Sequence, residues 1–203
     1  MTQLYGHPLS IGTNIDPHRH FVWIPKNASS GLRDNYNERT TFPKKGITNA
    51  TVFLRHPYFR WKSGVMQYLF RQIRDLENIT EKDLNYNSQL ILDLIRDNKL
   101  IFDEHTSPQM DFLTWEPHDD NCIGSDEIEN WEYYLIDRGD DVSRFESVYS
   151  YAFPNGIGFL NVTSTNRIKM KFQMDLDTVI SKHTINNIRE IYHDDFSLYF
   201  SLY

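Results

Sequence analysis

HFVWIPKNASSGLRDNY, residues 20–36, runs from strand-forming residues into a helix through a stretch of small side chains. Phe21, Val22, Trp23 and Ile24 have strand character, and Pro25 and Lys26 end the run. Asn27, Ala28, Ser29, Ser30 and Gly31 follow, and Leu32 and Arg33 open a helical segment. A strand, a tight loop and a helix N-terminus make an anion site, because loop N–H groups converge on the ligand and the helix dipole favours negative charge. Lys26 adds a full positive charge. The loop differs from that of nucleotide triphosphatases, which places its lysine at the end, before a Ser or Thr that serves magnesium. Here the lysine comes first.

The chain has 203 residues, which predicts a single domain, 1–203, with room for a sizeable core. It is rich in aromatics, with 12 Tyr, 13 Phe and 4 Trp, surfaces suited to sugar stacking but more often spent on the core. The net charge of −7 argues against nucleic acid or anionic membrane as partner, so an anionic ligand needs a local cationic site. Cys122 stands alone, which excludes an intrachain disulfide. No long apolar segment and no signal-peptide pattern are present, and the expected location is the cytoplasm, with no membrane span. Four N-x-S/T sequons, at Asn27, Asn49, Asn78 and Asn161, read as incidental, since a glycan at Asn27 would block the loop. Oligomeric state is left open by the sequence.

Residues 1–19 and 37–49 read as irregular, 20–25 as a buried strand and 28–36 as a short helix. TVFLR, 51–55, is a second strand, and 131–136 another. Helical spacing marks 58–76, 88–98 and 177–196, and a helix over 143–153 is expected with Ser143 as its cap and Glu146 as capping-box partner. Residues 103–127 are acidic and irregular. Alternating strands and helices predict an α/β fold, a P-loop-like three-layer domain with a central parallel sheet flanked by helices. Its ligand belongs beyond the C-terminal strand ends, where Lys26 and Arg55 fall.

Arg55 ends the second strand, where an always-charged fork can grip a phosphate. Ser63, eight residues on, brings a hydroxyl about two turns into the next helix. A surface ion pair at Arg55 and a packing serine at 63 are the plainer alternatives.

With these residues in place, PKNASS at 25–30 resembles the 5′-phosphosulfate loop of sulfotransferases, and RHPYFRWKS at 55–63 resembles their 3′-phosphate motif. DEHTSPQ at 103–109 is similar to a segment of the Golgi carbohydrate sulfotransferases, and YYLIDRGDDVSRF and IYHDDFSLYFSLY resemble the family's strand–acid–helix element and its usual ending. The resemblance covers most of the chain from residue 20. It departs at His56, where the family has an acid, and at Thr106, where it has tryptophan. Only 29 positions separate Lys26 from Arg55, so the chain resembles a compact bacterial or viral-type member without the Golgi anchor.

The resemblance implies 3′-phosphoadenosine 5′-phosphosulfate (PAPS) as sulfonate donor, 3′,5′-phosphoadenosine (PAP) as product, a carbohydrate hydroxyl as acceptor, and no metal. Pro25, Lys26, Asn27, Ala28, Ser29, Ser30, Gly31 and Leu32 would form the 5′ cradle, with Arg55 and Ser63 on the 3′-phosphate and Arg167 as a further donor contact. Lys26 would meet charge developing on the leaving phosphate oxygen. His105 is the first choice of base, since an imidazole titrating near ~6.5 suits proton abstraction. Glu104 is the alternative, Asp103 can orient the histidine, and Gln109 either binds acceptor or orders its loop. His7, His18 and His20 lack the spacing of a metal site. His183 and His193 read as surface residues. An acidic protein favours a neutral or lightly charged acceptor, contacted through 1–19, 37–49 and 103–130.

Two other readings stand beside this one. A nucleotide kinase or other phosphotransferase would need a Gly-Lys-Ser/Thr loop end and a magnesium-binding acid, which the chain lacks. A non-catalytic nucleotide- or glycan-binding module on the same fold would not need Lys26 and His105 together.

Overall fold

A computed structural model describes residues 9–11, 19–27, 39–40, 43–73, 80–117, 119–150 and 166–203. One sheet contains β1 (Leu9–Ile11), β2 (Arg19–Trp23), β3 (Arg39–Thr40), β4 (Asn49–Leu54) and β5 (Asn130–Leu135), in the order β3-β1-β2-β4-β5. β2, β4 and β5 are parallel, with Arg19, Asn49 and Asn130 level with one another. β1 runs antiparallel to both β2 and β3. The described helices are α1 (Pro57–Gln72), α2 (Glu81–Arg96), α3 (Gly139–Val148), α4 (Asn166–Val179), α5 (Lys182–Ile191) and α6 (His193–Ser201). The chain is therefore α/β around a three-stranded parallel sheet.

Side chains alternate across the sheet, as the strand period requires. Phe21 and Phe53 face α3, where the Phe145 ring lies 6.4 Å and 4.6 Å from theirs. Val22, Ala50, Val52 and Leu54 face the opposite way and pack with Phe112, Trp115 and Tyr199. A second apolar cluster, including Trp61, Leu69, Ile91, Phe172 and Ile188, joins α1, α2, α4 and α5. None of the described helices is long and apolar enough to cross a membrane.

Several expected boundaries change. β1 lies in the segment read as irregular, and β3 in the one read as loop. Strands of three and two residues are too short to show alternation, and they form because a neighbouring edge satisfies their backbone groups. α2 begins at Glu81, because the Thr80 hydroxyl accepts from Asp83 N at 3.2 Å. Ser143 is not a cap. α3 starts at Gly139 with Asp140 and Asp141 in its first turn, where carboxylates suit the helix dipole. The single helix expected over 177–196 is three. Ser181 caps α5 through Thr184 N at 3.1 Å, and the chain turns again at Tyr192. Apolar periodicity continues across both breaks and hides them. The expected helix over 28–36 lies outside the described residues.

Candidate functional site

The three parallel strands end beside one another, and each delivers a charged residue. Lys26 follows β2, Arg55 follows β4, and Asp137 follows β5. Asn27 N donates to Ile24 O at 3.1 Å and closes a turn in which Lys26 takes φ +70°. A left-handed lysine is uncommon, and such backbone is found at ligand-binding turns. Asn27 is buried and donates through Nδ2 to Phe53 O at 2.7 Å and to Gln109 Oε1. Its role is to tie the turn to β4, and its burial excludes a glycan. Ala28, Ser29, Ser30, Gly31 and Leu32 lie outside the described residues.

Two arginines of the 55–63 motif have opposite fates. Arg60 is fully buried and donates to Pro25 O at 3.1 Å, to Glu104 O at 3.2 Å and to Ser107 O. Burial pulls its pKa down while nearby acids, Asp195 foremost, pull it up. Its donors are committed to the backbone of two loops. Among the described residues, Arg55 makes one ion pair, Nε to Asp137 Oδ1 at 3.6 Å, and its buried Nε has no hydrogen-bond partner. Asp137 Oδ2 also accepts from His56 N at 2.6 Å. The Arg55 fork is thus positioned and left with donors to spare. Ser63 sits on α1 one turn before Gln67, whose Oε1 accepts from Lys26 Nζ at 3.3 Å.

The 103–109 segment is brought to the same helix. Thr106 shapes it: its hydroxyl accepts from Phe102 N at 2.8 Å and Asp103 N at 3.0 Å. His105 N donates to Asp103 Oδ1 at 2.9 Å, and His105 Nδ1 lies 3.3 Å from Asp103 Oδ2. A carboxylate at Nδ1 favours the tautomer protonated there, which leaves the Nε2 lone pair for a proton. Burial pushes the Asp103 carboxyl up, but the His105 and Arg71 contacts outweigh it and leave it below the usual range. Arg71 reaches Asp103 Oδ2 at 3.1 Å and Glu104 Oε1 at 2.6 Å. The Glu104 carboxylate is thereby engaged, and its Oε1 also lies 3.5 Å from His105 Nδ1.

Gln109 is buried and orders its loop. Its Nε2 donates to Arg55 O at 2.9 Å and its Oε1 accepts from Arg55 N at 3.0 Å. Asp195 holds the loop from below, accepting from Gln109 N at 2.6 Å and Met110 N at 2.9 Å, and Tyr192 donates to Thr106 O.

The structure therefore gathers Pro25, Lys26, Asn27, Arg55, Ser63, Glu104 and His105 around one end of the sheet and one face of α1. Arg167 is the second residue of α4, and its side chain lies outside the described part. His183 and His193 are exposed on α5 and α6, as expected. The sequence reading gave no role to Arg60, Gln67, Arg71 or Asp137. The α1 residues fall at helical spacing from Ser63 or from one another, a signal available once the helix was assigned. It also missed that Asp103, Glu104 and His105 place ligand atoms within 4.8 Å of one another, as a small cation would need. Arg71 already pairs with both carboxylates there. No family model, curated protein or solved structure matches the chain.

Proposed function

We propose that this chain is a PAPS-dependent sulfotransferase with a P-loop-like donor site, transferring a sulfonate group to a carbohydrate hydroxyl. The observation that supports this reading most is the convergence of two cations and an oriented histidine. Lys26 and Arg55 follow adjacent parallel strands, and the Asp103–His105 pair is clamped by Arg60 to the same loop as Lys26.

On this reading Arg55 and Ser63 bind the 3′-phosphate and Lys26 approaches the phosphosulfate. The acceptor oxygen bonds to sulfur as the bond from sulfur to the bridging oxygen breaks. The electron pair stays on the 5′-phosphate of PAP, where Lys26 meets the growing charge, and the acceptor proton passes to His105 Nε2. A preorganised group of this kind contributes about 3–4 kcal/mol of barrier lowering.

The test is incubation with PAPS and a panel of glycans, following release of PAP. Turnover in the wild type, lost in Lys26→Ala and His105→Ala with PAP still bound, is the expected result. A wild type that neither binds PAP nor turns over PAPS defeats the proposal.

A further inference from the structure

A cavity of about 560 Å³ opens between the start of α1 and the last two helices, α5 and α6. Tyr58, Ile185, Ile188, Phe196 and Phe200 give it apolar walls. Gln67 lies nine positions after Tyr58, and at ~100° per residue the two point to opposite sides of α1. The cavity is therefore not the space between Lys26 and His105. Its size is that of a small-molecule site.

The walls are flat. Phe196 and Phe200 stack at 6.1 Å with 16° between planes, and the His56 ring stands edge-on to both, at 81°. Phe200 remains 58% exposed at the rim, a large apolar surface left to water. Two polar groups border this aromatic box. His56 Nδ1 is buried with no hydrogen-bond partner. Burial lowers the His56 pKa against the pull of Asp137, so the ring is neutral at pH 7. Arg189 also lines the cavity, and no described residue pairs with its guanidinium. A cation with no ion-pair partner among the described residues, beside flat apolar walls, is complementary to a planar apolar body carrying one negative charge.

We propose that this cavity is a second ligand site that takes an aromatic carboxylate, its ring between Tyr58, Phe196 and Phe200 and its acid on Arg189. The probe is 1-naphthoate, with neutral 1-naphthalenemethanol as its isostere, titrated into the full chain by calorimetry. One saturable naphthoate site per chain is expected, with the alcohol binding more weakly. Arg189→Gln, on an exposed helix position, should weaken naphthoate about tenfold, the loss of one charge-assisted contact, and leave the alcohol unchanged. Ile185→Trp, which fills the cavity, should abolish both, with circular dichroism confirming the fold. PAP should not displace naphthoate. The proposal is overturned if neither probe saturates, if acid and alcohol bind equally, if Arg189→Gln binds naphthoate as wild type does, or if PAP competes.

Discussion

Gly64 of α1 lies directly against the backbone carbonyl of His105. A Cβ at position 64 would overlap that carbonyl and crowd the Thr106 methyl. The obstruction is backbone, so it cannot rotate away. Gly64→Ala should push the 103–109 loop off the helix and move His105. A kcat loss of at least about tenfold is expected from so small a misplacement. PAP affinity, which the proposed function assigns to Arg55 and Ser63, should change little. Steady-state turnover and PAP titration separate the two effects, and wild-type turnover in this variant would show that the base loop is not seated by α1.

Arg60 holds the carbonyls of Pro25, Glu104 and Ser107 with one guanidinium. Lysine keeps the charge but cannot reproduce the fork. Arg60→Lys should lose about 3 kcal/mol of stability, by leaving buried acceptors unpaired around a misplaced charge. Urea unfolding measures it. A loss below about 0.5 kcal/mol would place this residue with ordinary surface positions.

Arg55 is held by Asp137 without being consumed by it. If its spare donors take the 3′-phosphate, Arg55→Ala should weaken PAP binding about 10- to 100-fold. Adenosine 5′-phosphosulfate, which lacks that phosphate, should bind wild type and variant alike. An equal loss for both nucleotides would remove the 3′-phosphate role from Arg55.

On the proposed function, Asp103 acts on the reaction through His105. Asp103→Asn keeps the shape but offers Nδ1 a poorer acceptor, so the favoured tautomer is no longer enforced. The expected outcome is a lower kcat across the pH–rate profile and an unchanged PAP affinity. A kcat matching wild type across the profile would leave Asp103 with a purely architectural part.

His20 supplies a pH-dependent term. It is buried in β2 beside Trp115, and burial lowers its pKa to about 3 from an ordinary 6.5. Between these values the unfolded chain holds a proton that the folded chain refuses. Stability is full above 6.5 and falls as the pH drops toward 3, by up to about 1.4 kcal/mol per pH unit. His20→Phe should flatten the change in urea midpoint between about pH 7 and about pH 5. A variant whose midpoint falls as steeply as wild type would assign the acid sensitivity to other groups.

Much of this arrangement is legible in the residues, for reasons that can be named. Lys26 and Arg55 stand out because each ends a strongly β-branched or aromatic run, and a parallel sheet puts such ends together. Asp103 and His105 are close in sequence, so their pairing is nearly local. Arg60 looks no different from Arg55 in the same motif, and only burial decides which of them is free to meet a ligand. Asp137 is hidden because its partner is 82 positions away. The breaks at Ser181 and Tyr192 are hidden because the apolar face is continuous; the first is marked by a Ser181–Thr184 capping box and the second by no side-chain cap.

The anchoring of the 103–110 loop by Tyr192 and Asp195 has a consequence for how the protein comes into being. Both contacts span 86 residues. A chain emerging during synthesis can close the sheet and α1 well before it can fix this loop, because residues 192–195 do not yet exist. Until they arrive, Gln109 N and Met110 N lack their carboxylate, and the Arg60 guanidinium lacks the foremost of the acids that raise its pKa. The candidate site is thus among the last parts of the molecule to be completed, after the sheet that carries Lys26 and Arg55 has closed.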